Sequence, residues 1–259
     1  VHSPQTDEDL ELSMRRIVCD ELFPFVMKLG EKKYEFVAKT QYKASKQSVM
    51  ESFIKSLPFP LTKDQDTAIH TLTTKMMAGE RIEALVQGDV GCGKTVIATA
   101  LAVAAVENGY QAAIMCPTAV LAEQHYKSMS EQLAPFGITV ELLTSGLTAK
   151  AKRKVLSAIK DGTAQIIVGT HAVIAKDVIF NKLALTVVDE EHRFGVEQRD
   201  ALAEKAKAGV NNISMTATPI PRTIASAVYG ENTEIINVHT MPSGRKPVKT
   251  IVYGNEEKV

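Results

Sequence analysis

The run Gly88-Asp89-Val90-Gly91-Cys92-Gly93-Lys94-Thr95 fits G-x-x-x-x-G-K-[ST] at every fixed position. It follows the apolar stretch Ala84-Leu85-Val86 and opens an Ala-rich helical pattern, so strand, loop and helix stand in the order a phosphate cradle needs. Glycines at 88, 91 and 93 let the backbone turn tightly enough for successive N–H groups to face inward. The helix expected from Lys94 adds its positive dipole end at the same place. Asp89, Val90 and Cys92 fill the variable positions of the loop. A triphosphate is the ligand this chemistry suits, with Lys94 as a point charge for its outer phosphates and the Thr95 hydroxyl as a ligand for Mg²⁺.

From about residue 60 onward, apolar β-type runs alternate with helical patterns, which is what a mainly parallel sheet covered by helices requires. The expected strands are 84–87, 111–116, 139–143, 165–168, 183–188 and 213–215. The helices between them are 95–108, 119–134, 149–160 and 196–208. Right-handed crossovers then bring the carboxyl ends of all strands to one edge of the sheet.

Residues 1–57 read differently. Apolar positions at helical spacing run from Leu12 to Leu29 with Gly30 as a stop signal, and a second amphipathic pattern runs through Val49, Phe53, Ile54 and Leu57. Pro58-Phe59-Pro60 separates this α-helical connector from the α/β unit, expected over 58–240. After the turn signal at Met241-Pro242-Ser243-Gly244, residues 241–259 read as a linker with one further strand-like run at 247–252.

Lys plus Arg and Asp plus Glu both number 30, so net charge gives no vote for nucleic acid. The basic residues Lys150, Lys152, Arg153, Lys154 and Lys160 nonetheless fall within one expected helix. Cys19, Cys92 and Cys116 form no C-x-x-C and suggest neither a disulfide framework nor a zinc site. Cys92, near a helix start and Lys94, is a candidate reactive thiol. No apolar run reaches the ~18 residues of a membrane span, and Val1-His2-Ser3-Pro4 shows no leader, so the expected setting is the cytoplasm, with no membrane partner.

Four further groups carry chemistry. Leu183-Ala184-Leu185-Thr186-Val187-Val188 runs straight into Asp189-Glu190-Glu191-His192. Asp189 suits a Mg²⁺ ion and Glu190 suits the base that orients or deprotonates an attacking water. His192 reads either as a relay between nucleotide and sheet or as a surface histidine. Thr216-Ala217-Thr218 follows a strand, and its hydroxyls can bond the acidic strand end and report loss of the γ-phosphate. Read by itself, the same segment is a Thr-rich loop capping a helix. Phe59-Pro60-Leu61-Thr62-Lys63-Asp64-Gln65 precedes the loop, where Gln65 either reads adenine through its amide or completes a Thr62-x-x-Gln65 capping box. Finally, Pro117-Thr118, Thr144-Ser145-Gly146 and Gly169-Thr170-His171 place hydroxyls at strand ends before helices. One such Thr is simply an N-cap, but three on one edge form a track for a phosphodiester backbone.

These strings together resemble superfamily 2 helicases and, among them, the RecG family of ATP-dependent DNA helicases of bacteria. The residues that carry the resemblance are Leu57-Pro58-Phe59-Pro60-Leu61-Thr62-x-x-Gln65, the 88–95 loop, Pro117-Thr118-x-x-Leu121-Ala122-Glu123-Gln124-His125, Val168-Gly169-Thr170-His171-Ala172, Asp189-Glu190-Glu191-His192-Arg193-Phe194-Gly195-Val196-x-Gln198-Arg199 and Thr216-Ala217-Thr218-Pro219-Ile220-Pro221-Arg222-Thr223. The resemblance implies a RecA-like P-loop domain, ATP and Mg²⁺ as cofactors, and ATP-driven movement on branched duplex DNA, with fork regression and branch migration of Holliday junctions. It also implies a preceding wedge domain and a second RecA-like domain with an arginine finger. Neither fits within 259 residues, so the chain reads as a monomeric fragment of weak ATPase activity. The alternatives are the motor of a transcription-repair coupling translocase, which shares several of these strings, and a nucleotide-binding switch with no nucleic-acid partner.

Overall fold

Three of the apolar runs are buried from end to end, as strands covered on both faces must be. These are β2 (Gln111–Met115), β4 (Ile166–Gly169) and β5 (Leu183–Val188). They belong to a seven-stranded sheet with β1 (Glu83–Gly88), β3 (Val140–Leu143), β6 (Asn211–Thr216) and β7 (Glu234–Val238), in the order β3-β4-β2-β5-β6-β1-β7. Every pairing is parallel, with registers such as Ala84↔Ile213, Ile114↔Val168 and Ile114↔Val187. The computed structural model describes residues 6–31, 40, 42–190, 194, 201–202, 205, 209–221, 224–225, 229 and 233–242.

The helices are α1 (Asp7–Glu31), α2 (Ser48–Ser56), α3 (Lys63–Ala78), α4 (Lys94–Glu107), α5 (Ala119–Leu133) and α6 (Ala149–Asp161). Helix α4 is apolar around its circumference, with every residue from Ile97 to Val106 buried. That composition is explained by its position, since it packs on β1, β2 and β5 and also against α2 and α3. Alternation along β2 divides the core between the two faces. Ala112 and Ile114 join the cluster containing α4, whereas Ala113 and Met115 join the cluster under α6.

The connector expected over 1–57 has two parts of different character. The described apolar side chains of α1, among them Leu10, Met14, Ile17 and Val18, are exposed. Helix α2 instead buries Met50 and Phe53 in the cluster around α4, and Phe53 meets Phe136 edge-on at 6.3 Å. Packing therefore crosses residue 57, where the composition changes.

Two elements differ from the sequence reading. Strand β6 starts at Asn211, two residues before the expected run, because the Asn211 amide ties together its neighbours. Its Oδ1 accepts from Ile82 N–H at 3.0 Å and its Nδ2 donates to Ala184 carbonyl at 3.2 Å. Strand β7, Glu-Ile-Ile-Asn-Val, went unanticipated because an edge strand is only half-buried and carries polar residues. The expected strand at 247–252, and all of the expected helix at 196–208 except Ala201, Leu202 and Lys205, lie outside the described residues.

Phe53→Ala should destabilise the fold by about 3–5 kcal/mol in urea unfolding, the cost of emptying an aromatic core site. A loss below about 1 kcal/mol would show that α2 does not share the core of the α/β unit.

Candidate functional site

Strand β1 ends at Gly88, and α4 begins at Lys94 with Gly93 as its N-cap. Between them Gly91 and Gly93 adopt φ of 82° and 88°, the left-handed region that glycine enters without a Cβ penalty. Two close approaches add to this requirement. A Cβ on Gly93 would lie 2.1 Å from Gln65 Nε2, and one on Gly88 would lie 2.5 Å from the Val238 carbonyl oxygen of β7. Lys94 Nζ folds back onto the loop and donates to the carbonyls of Gly88 at 2.6 Å and Asp89 at 3.3 Å. Asp89 Oδ1 accepts from Val90 N–H at 2.7 Å, and the Asp89 carbonyl accepts from Cys92 N–H at 3.2 Å. Thr95 is half-buried in the first turn of α4.

The thiol of Cys92 does not have the character expected of it. It is fully buried, and burial pushes its pKa up despite the nearby Lys94 ammonium. The side chain packs into the core beneath the loop, where desolvation of the thiolate outweighs the positive charge.

The first turn of α3 fastens the loop from the other side. Thr62 and Gln65 form a complete capping box: Thr62 Oγ1 accepts from Gln65 N–H, and Gln65 Oε1 accepts from Thr62 N–H at 2.8 Å. Gln65 Nε2 donates to the Cys92 carbonyl at 2.7 Å, with the residue 1% exposed. Both ends of the amide are thus engaged within the protein. The capping alternative is realised, and reading adenine through the amide would require Gln65 to exchange these partners. Phe59 and Thr62 line an open cleft of about 580 Å³ with Ile54, Leu57, Leu61 and Asp66. Next to Gln65, the Asp64 carboxylate accepts from the N–H groups of His239 and Thr240 at 2.9 and 2.8 Å, which hold its pKa below the usual carboxylate range.

Strand β5 delivers Asp189 and Glu190 to the same edge, one strand away from β1 across β6. At strand spacing the β1 and β5 backbones stand ~10 Å apart, leaving room for a phosphate chain and a hydrated cation. Asp189 Oδ1 accepts from Glu190 N–H at 3.0 Å, and Oδ2 lies 2.9 Å from His125 Nε2 on α5. Glu190 has φ of 49°, the one non-glycine positive φ among the described residues, and such a conformation costs ~1–3 kcal/mol. His192 lies outside the described residues.

The Thr216-Ala217-Thr218 turn reaches the acidic strand end by a different route from the one expected. Its hydroxyls bond each other at 2.9 Å, and Thr216 Oγ1 also accepts from Thr218 N–H at 3.1 Å. The link to Glu190 is made by the backbone: Ala217 N–H donates to Oε2 at 3.4 Å. A threonine so close to its own turn satisfies it before reaching across. Gln87 Oε1 anchors the far end of this turn by accepting from Ile220 N–H at 2.8 Å.

Strands β3, β4 and β2 stand side by side, so their carboxyl ends bring Pro117, Thr118, Thr144, Ser145, Gly146, Gly169, Thr170 and His171 to one half of the edge. Only the first junction opens directly into an α-helix: Thr118 Oγ1 caps α5 by accepting from Leu121 N–H at 3.3 Å. Helix α6 is capped by Thr148 instead, and Thr170 opens a four-residue 3-10 turn, His171–Ile174. Thr170 Oγ1 is buried and has no hydrogen-bond partner among the described residues. Ser145, Gly146 and His171 are exposed.

Sequence reasoning passed over His125, Asp64 and Gln87 as site residues. For His125 a signal existed, because it lies seven residues after the Thr118 cap and therefore on the helix face nearest the strand ends. Asp64 and Gln87 bond to backbone remote in sequence, which no local pattern announces.

A family profile described as DEAD/DEAH box helicase matches residues 62–227. The chain is 42% identical over 253 residues to the ATP-dependent DNA helicase RecG of Aquifex aeolicus, covering 96% of this chain and 31% of that protein. It is also 42% identical over 253 residues to RecG of Bacillus subtilis, covering 96% of this chain and 37% of that protein. A solved structure of RecG bound to a three-way DNA junction superposes with a TM-score of 0.74 at 36% identity, covering 95% of this chain and 33% of that one. The chain thus spans about a third of the length of the relatives it matches.

In the folded protein a thiol reagent at pH 8 should modify exposed Cys19 alone, with Cys92 and Cys116 reacting only after unfolding in urea. Burial raises the pKa of both inner thiols, so rapid native-state labelling of Cys92 would contradict the placement of the loop.

Proposed function

The chain belongs to the DEAD/DEAH box helicase family and is homologous to RecG over nearly its whole length, and from that premise we propose that it is the ATP-binding motor domain of a DNA helicase or translocase that acts on branched duplex DNA. Forks and Holliday junctions in recombination and repair are the substrates we assign to it, in the cytoplasm of a bacterium. The observation that carries this reading is the convergence of the 88–95 loop and Asp189-Glu190 on one sheet edge, with Glu190 joined to the 216–218 turn.

The loop would take the phosphates of ATP on its N–H groups and on the α4 dipole. Lys94 already has its ammonium at the loop, held by two carbonyls, so binding needs only an exchange of those carbonyls for phosphate oxygens. Mg²⁺ suits the donors present, an alcohol and a carboxylate on neighbouring stretches of the edge. Thr95 and Asp189 would hold it, with phosphate oxygens and water completing its shell. Once bound, it would neutralise the charge that develops on the phosphates.

Glu190 orients the attacking water and accepts its proton. Its backbone leaves the strand conformation with φ of 49°, and the Ala217 N–H donates to one of its oxygens. The 216–218 turn is therefore placed to feel a change at Glu190. The DNA backbone would track the half-edge of Thr118, Ser145, Gly146, Thr170 and His171, where Ser145, Gly146 and His171 are exposed to a phosphate backbone. The arginine finger, worth ~10³ to 10⁵ in rate, lies outside these residues in our reading, so a motor domain alone hydrolyses ATP slowly. The similarity to RecG carries this reading over a transcription-repair translocase or a switch without nucleic acid.

In the full-length protein, Glu190→Gln should leave ATP affinity within about twofold and lower branched-DNA-stimulated hydrolysis by ~10²–10⁴. Lys94→Ala should weaken ATP binding by up to ~10³-fold, the scale of one charge pair at an effective dielectric near 20. Hydrolysis that no DNA stimulates would contradict the motor reading, and unchanged turnover in Glu190→Gln would remove Glu190 from its role.

A further inference from the structure

Asp189 arrives at the phosphate edge with both of its carboxylate oxygens already held by the protein. Oδ1 accepts from the backbone N–H of Glu190, and Oδ2 accepts from the His125 ring at 2.9 Å. A carboxylate oxygen accepts, so the ring nitrogen Nε2 is the donor. The side chains are 14% and 11% exposed, so this contact is made largely out of water. His125 belongs neither to the strand that carries Asp189 nor to the phosphate loop. It comes from α5, the helix after β2, and the parallel register Met115↔Val188 brings the two together. In the same place Asp189 N–H donates to the Met115 carbonyl at 2.9 Å, so backbone and side chain of Asp189 are both tied to the β2-α5 unit.

Without the ring, Oδ2 would be a nearly buried acceptor with no donor and the carboxylate would be released to other rotamers. No other donor to Oδ2 is found among the described residues, and the neighbouring Cys116 thiol is at most a weak one.

We propose that His125 is a positioning residue for Asp189, holding the carboxylate in the orientation in which a nucleotide-bound divalent cation meets it. The inference rests on the reading of Asp189 as the metal-binding carboxylate. It also gives α5 a function beyond covering the sheet. The helix starts at the Thr118 strand end, on the half-edge assigned to DNA, and holds the metal carboxylate two turns later. His125 thus stands at the β2-β5 seam between the two halves of the edge.

The test compares His125→Ala, His125→Gln and Asp189→Asn in the full chain. Mn²⁺ affinity is read by electron paramagnetic resonance at saturating ADP, ADP affinity is read in EDTA, and the melting temperature is recorded. His125→Ala should weaken Mn²⁺ binding ~10–100-fold, the usual effect of removing a partner that orients a metal ligand. Its ADP affinity in EDTA should stay within about twofold of the parent, and His125→Gln, whose amide can still donate, should recover most of the Mn²⁺ affinity. Unchanged Mn²⁺ binding in His125→Ala alongside a large loss in Asp189→Asn would overturn the positioning role alone. Unchanged binding in both would overturn the metal reading of Asp189 as well. Equal losses in His125→Ala and His125→Gln, with ADP affinity in EDTA and melting temperature falling together, would reduce His125 to a packing residue.

Discussion

Strands that all run the same way must be joined by crossovers, and right-handed crossovers leave every carboxyl end on one edge of the sheet. That constraint gathers residues scattered from Gly88 to Thr218 into one surface. The strand order divides the surface into two. On one side β5, β6, β1 and β7 carry Asp189, the 216–218 turn and the phosphate loop, and on the other β3, β4 and β2 carry the strand-end hydroxyls. The two halves meet between β2 and β5, strands that are buried along their whole length.

The second organising element is the first turn of α3, which holds three pieces of chain at once. Thr62 and Gln65 close the turn on itself, the Gln65 amide holds the phosphate loop, and the Asp64 carboxylate holds the chain leaving β7. A Lys75–Glu234 ion pair ties the other end of α3 to the start of β7. The close approach of Gly88 to Val238 belongs to the same packing. The loop is therefore braced from outside the sheet as well as by its own strand and helix. A side chain at position 88 or 93 would collide with that brace. Because Asp64 titrates below the usual carboxylate range, its hold on residues 239 and 240 is present above the unfolded pKa and is lost as pH falls through the lowered folded value.

Much of this was legible in the sequence because the informative patterns are local. Leu183–Val188 is bounded by what precedes and follows it, Thr118 is followed by the helix it caps, and the phosphate loop is read from its glycines. What stayed hidden is settled by contacts between residues distant in sequence. Strand β7 is recognisable only by its pairing with β1. The character of Cys92 depends on burial, which reverses the inference from its neighbour Lys94. The contact of the Gln65 amide with the Cys92 carbonyl, 27 residues away, is one that no local pattern announces. The hydroxyls of Thr216 and Thr218 were expected to reach the acidic strand and instead close their own turn, leaving a backbone N–H to make the link.

One edge of the parallel sheet is thus, in our reading, assembled around a metal-bound triphosphate. A crystal structure of the chain with Mg²⁺ and a non-hydrolysable ATP analogue tests it most directly. The β- and γ-phosphates should lie on the N–H groups of the 88–95 loop, the Lys94 ammonium should move from the Gly88 carbonyl to phosphate oxygen, and the metal should sit at Thr95 with Asp189 facing it. Phosphates seated elsewhere, or a nucleotide bound while Lys94 stays on the Gly88 carbonyl and Asp189 faces away from the metal, would contradict it.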